Sequence, residues 1–299
     1  MYTLNHIETK DQNYLEFSNP ENKFSAKICL KSGASLQELI LNNKLIIKEF
    51  ESISSEKKYA SSILFPFNGR VKKGKYTFNN TTHQLKINNP ETKSALHGLV
   101  YNKKFNLLNY TTSEQSQTIS LKYGQSEKEI GFPFKYSITL TYTFFKNGVT
   151  LNAHIKNEGD DSFPYSLGWH PYFFSENLHE STLLIDSSKK IVFDKNMSPI
   201  KLTTNNYNSE FQIKDKNLDD CFSLLKNNID FKTSNYNINI SSSVNENYIQ
   251  VYTPPTETNC IAIEPLTAPP NSLNNNIGLQ ILNPEEEYNV NWKIELNNN

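Results

Sequence analysis

The stretch Tyr136–Ile155, YSITLTYTFFKNGVTLNAHI, decides the fold class. Tyr136, Ile138, Leu140, Tyr142 and Phe144 alternate with Ser137, Thr139, Thr141 and Thr143, the period-two pattern of a strand that buries one face. Beyond Phe145 and Lys146, the residues Val149, Leu151, Ala153 and Ile155 alternate in the same way with Thr150, Asn152 and His154. Asn147-Gly148 between the two runs accepts the positive φ angles of a tight turn, so the stretch predicts an antiparallel hairpin.

Outward from this hairpin the alternation recurs in FSAKICLK (Phe24–Lys31), INISSSV (Ile238–Val244), NYIQVYT (Asn247–Thr253) and YNVNWKIEL (Tyr288–Leu296). No segment keeps a 3.6-residue period over ten residues, and Asn, Gly, Ser and Pro clusters separate the strand-like runs. The expectation is an all-β chain, an antiparallel sandwich or barrel with few short helices. No linker divides it, so residues 1–299 are expected to form one domain. The Asn-rich stretches Thr203–Asn208 and Asn274–Asn276 read as polar loops, and Asn297–Asn299 as a frayed end.

With 36% hydrophobic and 12% aromatic residues the chain has the material for a substantial core. Lys+Arg 30 against Asp+Glu 31 leaves a net charge of −1, so no overall field favours nucleic acid or a membrane surface, and a small neutral partner fits better. Cys29, Cys221 and Cys260 are widely spaced and odd in number, which speaks against a disulfide framework or a zinc site. The opening residues carry no basic stretch followed by an apolar run, so a cytoplasmic protein is expected. The only arginine is Arg70; a site needing a planar bidentate donor must use it.

Four stretches set polar, chemistry-bearing residues among Gly, Pro and aromatics: Phe65–Phe78, Ala95–Val100, SLGWHPYF (Ser166–Phe173) and IAIEPLTAPPNSL (Ile261–Leu273). Taken singly, each has a bland reading. Glu264 ends the apolar run Ile261–Ile263 before Pro265, which is expected to end regular strand pairing for want of an N–H, and it reads as an edge-strand glutamate facing water. His170 reads as a half-buried histidine bonded to a carbonyl, His97 as a turn residue before Gly98, and Asp219–Phe222 as a turn or cap. Two histidines and a carboxylate also suit several divalent ions, and the spacing of His97, His170 and Glu264 neither supports nor excludes that. Motifs for serine hydrolases, P-loops, dinucleotide folds and HExxH metalloenzymes are absent from the sequence.

In their order along the chain these stretches resemble the aldose 1-epimerase (galactose mutarotase) family. LFPFNGRVKKGKYTF is similar to the family's arginine segment, LHGLVYNKKF to its His-Gly segment, and SLGWHPYF to its His-Pro-Tyr-Phe signature. LDDCFSL is similar to its Asp-His-x-Phe segment, and IAIEPLTAPPNSL to the Glu-Pro segment that bears the base; Asp220 stands where a histidine is frequent. The resemblance spans roughly Ser61–Asn274 and implies a large antiparallel β-sandwich with an open cleft for a pyranose, interconverting α and β anomers. It also implies roles: Glu264 as general base, His170 as general acid, His97 as a polar contact near the ring oxygen, Arg70 and Asp219 as partners of sugar hydroxyls. Trp169 or Phe173 would cover the sugar's apolar face, and Trp169, Pro171 and Tyr172 would hold His170 in a fixed orientation. Glu264 would keep His170 protonated in the empty site.

Opening and reclosing a hemiacetal takes one base and one acid, so no cofactor and no metal are expected. The expected partner is a free aldohexose, with the protein a monomer or homodimer. Two alternatives stand beside this reading. A hexose-6-phosphate 1-epimerase would use Lys72, Lys73 and Lys75 for the phosphate. A non-catalytic sugar-binding protein would keep the fold and have no need of an acid–base pair.

Overall fold

The computed structural model describes residues 2–10, 13–21, 23–48, 59–195, 197, 199–205, 209–215, 217–243, 248–255 and 257–297. Among them, 20 strands join in one sheet, three further two-stranded sheets flank it, and every strand pairing is antiparallel. Among the described residues, helix is limited to the turn Ser272–Asn275, the 3-10 turn Leu178–Glu180 and Tyr59.

The Tyr136–Phe145 strand pairs with Gly148–Asn157, and its Tyr, Ile, Leu and Phe positions are buried while its threonines are half-buried. Burying a large apolar side chain contributes about 1.5–3 kcal/mol. A one-residue slip would exchange four of them for Ser137, Thr139, Thr141 and Thr143, which fixes the register. The turn itself differs from expectation. The loop is Lys146-Asn147, neither residue has a positive φ, and Gly148 already pairs with Phe145. Glycine is needed at 148 for close approach, because a Cβ there would stand 2.2 Å from the Ile294 carbonyl oxygen.

The large sheet closes on itself to make a sandwich. Phe17 and Phe24, near one end of the strand order, meet Phe144, near the other, at 4.9 and 5.4 Å between ring centroids. The Tyr142 hydroxyl donates to the Ala34 carbonyl at 2.9 Å across the same layers. Trp169 and Trp292, both buried, stack at 6.2 Å in the interior.

Two local expectations are corrected. Pro265 does not end its strand: the Cys260–Leu266 ladder runs on through Ile249↔Pro265 and Tyr248↔Leu266. Asp219–Phe222 is not a turn but the start of the strand Asp219–Lys232. Within the Asn-rich stretch Thr203–Asn208, strand extends to Thr204, and residues 206–208 lie outside the described residues, as do residues 298–299 of the expected frayed end.

Candidate active site

Three neighbouring strands, Asp219–Lys232, Tyr248–Tyr252 and Cys260–Leu266, supply one wall of a cleft. Residues directly opposite in antiparallel strands share a face. Cys221, Gln250 and Glu264 therefore form one row, and Asp219, Tyr252, Ala262 and Tyr172 the next. Glu264 is thus central in the sheet and buried, not an edge glutamate facing water.

Register also accounts for His170. Gly168 pairs with Leu266 and Tyr172 with Ala262, so an unbroken ladder would set His170 opposite Glu264. Pro171, lacking an N–H, interrupts pairing there. The loop is held instead by the Ser62 carbonyl, which accepts from the His170 N–H at 3.1 Å, and by the Ser61 N–H, which donates to the His170 carbonyl at 2.8 Å. The result is His170 Nε2 at 3.3 Å from Glu264 Oε1, with both side chains 4% exposed.

Arg70 and His97 arrive together. The strand Arg70–Lys72 pairs with Ser94–Leu96, setting Arg70 opposite Leu96, and the His97 N–H donates to the Gly69 carbonyl at 2.9 Å. His97 adopts a left-handed φ of 60° and Gly98 one of 76°; a Cβ at Gly98 would sit 2.3 Å from the Phe65 carbonyl oxygen. This tight turn tips the His97 ring edge-on to His170 at 4.8 Å.

Arg70, His97, His170, Asp219 and Glu264 all line one cavity of about 360 Å³. Trp169 does not. It is fully buried, its indole N–H donates to the Ser61 carbonyl at 3.2 Å, and it cannot reach a ligand in the cavity. Alternation explains the error, because Trp169 points to the opposite side from His170. The aromatic surfaces in the cavity are Tyr59, Tyr172, Phe193 and Tyr252, of which the sequence reading named Tyr172 alone, as a residue that holds His170 in place. Two residues past His170, Tyr172 shares its side and stacks on its ring at 5.0 Å. Gln250 was also missed; it donates from Nε2 to Asp219 Oδ1 at 2.6 Å and lines the cavity beside Glu264.

Burial dominates the electrostatics. It lowers His170 to about 3 and pushes the Glu264 carboxyl well above its ordinary range, with the nearby Asp219 charge adding to the rise and Arg70 opposing it. His97 is likewise held well below its ordinary value by burial, with His170 and Arg70 contributing. The empty site thus favours a neutral imidazole beside a neutral carboxylic acid, and the expectation that Glu264 keeps His170 protonated is corrected: burial lowers the imidazole and raises the carboxyl. Burial also raises Asp219, against the lowering pull of Arg70 and the Gln250 hydrogen bond. Several polar atoms here are buried with no protein partner: Arg70 Nε, His97 Nδ1, His170 Nδ1 and Gln250 Oε1. Such atoms are costly unless a ligand or water meets them.

His97, His170 and Glu264 bring ligand atoms within 4.8 Å of one another, the one group among the described residues that could hold a metal ion. Ligands of a single zinc ion with bonds of about 2.1 Å stand about 3.4 Å apart, so an ion would have to draw the widest pair together.

The family model for aldose 1-epimerase matches residues 14–295. The chain belongs to the aldose 1-epimerase family. A curated relative is the uncharacterized protein YihR of Escherichia coli K12, 23% identical over 279 residues, covering 88% of this chain and 87% of that one. Among solved structures, a galactose mutarotase-like protein from Clostridium acetobutylicum superposes with a TM-score of 0.87 at 17% identity, covering 100% of this chain and 99% of the other. Galactose 1-epimerase from Lactobacillus acidophilus gives 0.82 at 16% identity, covering 99% and 98%. These structural likenesses establish the shared fold.

Proposed function

We propose that this member of the aldose 1-epimerase family is an enzyme that interconverts the α and β anomers of a free aldohexose by acid–base ring opening and closure. The observation that carries the reading is the 3.3 Å approach of His170 to Glu264 on a cavity wall. The hydroxyl oxygen O1 and the ring oxygen O5 are both bonded to C1, so an acid and a base for this reaction must converge on one carbon.

In the forward step Glu264 removes the O1 proton as the C1=O1 bond forms, the C1–O5 bond breaks, and His170 gives its proton to O5. Rotation about C1–C2 and the reverse transfers yield the other anomer, and the protein ends as it began. A pair sharing one proton serves both directions. Its form in the ring-open state, neutral acid and neutral imidazole, is the one that burial favours in the empty site. Arg70, Asp219 and Gln250 line the cavity and offer polar groups to sugar hydroxyls, and Tyr172 and Tyr252 offer apolar faces. The reaction as drawn needs no metal or cofactor, and a cytoplasmic enzyme of carbohydrate metabolism acting on free sugar fits the three unbridged cysteines.

A phosphorylated substrate is the weaker reading. Arg70 is the one cationic side chain among the described residues lining the cavity, and it shares that lining with Asp219, Glu264 and Glu91. Lys72 lies outside the lining and pairs with Asp194 at 3.4 Å. A phosphate dianion would meet more carboxylates than cations there. The test compares anomerisation of glucose and glucose 6-phosphate. Faster equilibration of glucose supports the proposal, preference for the phosphate transfers it to the alternative, and a sugar that binds yet equilibrates as in buffer makes the protein a binding module.

A further inference from the structure

His97 keeps a left-handed φ of 60°, a conformation that a non-glycine residue holds only where its surroundings over-determine it. One of the restraints lies a residue back in the chain. The Leu96 N–H donates to Asn88 Oδ1 at 2.7 Å, and Asn88 Nδ2 donates to the Leu96 carbonyl at 3.0 Å. Leu96 ends the strand Ser94–Leu96 and is buried, so both of its backbone groups need partners within the protein. A primary amide presents a donor and an acceptor side by side, and Asn88 meets Leu96 as a neighbouring strand would. The same Nδ2 donates to the Tyr59 hydroxyl at 3.2 Å, and the Tyr59 ring stands 4.9 Å from that of His97. One amide thus grips the backbone entering His97 and the ring packed against its imidazole. Asn88 itself is outside the cavity lining, to which its neighbour Asn89 belongs.

From these bonds, and resting on the functional reading above, we infer that Asn88 is a positioning residue that sets the His97 imidazole against His170. Beyond His97 the turn is pinned separately, by the Leu99 N–H donating to the Phe65 carbonyl at 2.7 Å. Without Asn88 the near side is released: the Leu96 groups must turn toward water, and the His97 ring moves with them. Arg70 is held by other means. The pairs Ala95↔Val71 and Ser94↔Lys72 and the bond from the Lys72 N–H to Asn271 Oδ1 at 3.1 Å do not involve Asn88. The effect of removing Asn88 therefore falls on His97. A displacement of about 1 Å in an active site costs about 10²-fold, and with the Gly69 and Phe65 bonds intact the expected loss is about tenfold.

The test is a double-mutant cycle on the anomerisation of freshly dissolved α-glucose and α-galactose. Asn88→Ala should lower kcat/KM about tenfold in the wild-type background and less than about twofold in His97→Ala, because a misplaced imidazole matters only where there is one. Asn88→Asp keeps the acceptor for the Leu96 N–H and loses both donated bonds, so its activity should fall between. A second readout is independent of turnover: in nitrogen NMR spectra of the imidazoles, the His97 signals of folded Asn88→Asp should move while those of exposed His6 stay. A tenfold loss in both backgrounds would mean a merely structural role and overturn the inference. Activity of Asn88→Ala within about twofold of wild type, or unmoved His97 signals, would overturn it too. Each of these leaves the functional reading standing. No acceleration of either sugar by wild type would overturn the functional reading, and this inference with it.

Discussion

Lowering the pH should unfold this protein partly through His170, and by a calculable amount. Burial holds His170 to about 3 in the folded chain, against about 6.5 for an unperturbed imidazole. Between those values the unfolded state binds a proton that the folded state does not. The stability associated with the neutral ring is therefore complete above pH 6.5 and is lost as pH falls toward 3. Each unit below 6.5 costs about 1.4 kcal/mol, so about 3 kcal/mol is gone by pH 4. The 4% exposure of the side chain leaves little solvent screening to reduce this figure. Glu264, raised by the same burial, acts with the opposite sign: its contribution is complete below the ordinary carboxylate value and is lost as pH rises through its folded value. Comparing wild type with His170→Asn largely cancels that term, because Glu264 is present in both. Urea unfolding at half-unit intervals from pH 7 to 4, with the slope checked for constancy, measures the difference. The stability of His170→Asn relative to wild type should rise by about 3 kcal/mol over this range. A difference that stays constant, or that shifts toward wild type on acidification, would refute the reasoning and mean that Glu264 holds an imidazolium in the empty site.

Other outcomes follow from the same geometry. Glu264→Gln removes a buried ionisable group and should raise the melting temperature at pH 8 by about 2–4 °C, read by calorimetry; a lower value would contradict the assigned burial penalty. Trp169→Phe strands the buried Ser61 carbonyl and should cost about 1–3 kcal/mol in urea unfolding, while the sugar KM stays within about twofold because the indole does not line the cavity. Exhaustive dialysis against EDTA should leave the anomerisation rate unchanged; loss restored by one divalent ion would show that His97, His170 and Glu264 work through a metal.

The fold was legible where the signal is local. Alternation in Tyr136–Ile155 and in the Phe24, Ile238, Tyr248 and Tyr288 runs marked strands that the structure contains. The hairpin turn was placed one residue late because Asn-Gly is a turn signal, whereas Gly148 answers a steric demand from Ile294, a residue distant in sequence. The candidate site was legible through the order of its motifs, which named five residues that the fold gathers around one cavity. Strand pairing was not legible. That His170 falls opposite Glu264, or that Gln250 stands beside it, depends on which strands become neighbours, and no local pattern encodes that choice. For the same reason Pro265 read as a strand end and Trp169 as a sugar platform. Side-chain direction within SLGWHPYF would have shown that Tyr172, not Trp169, shares the side of His170.

The central claim is that Glu264 and His170 together move the protons that open the sugar ring. It is tested most directly by polarimetry of freshly dissolved α-glucose, α-galactose and α-lactose with wild type, Glu264→Gln and His170→Asn at matched concentrations. The account predicts that wild type accelerates the decay of optical rotation for at least one sugar in proportion to enzyme, and that each variant, still folded, is slower by a factor of about 10²–10⁴. Near-wild-type acceleration by folded Glu264→Gln would place the base elsewhere, and no acceleration by wild type for any of the sugars would contradict the claim outright.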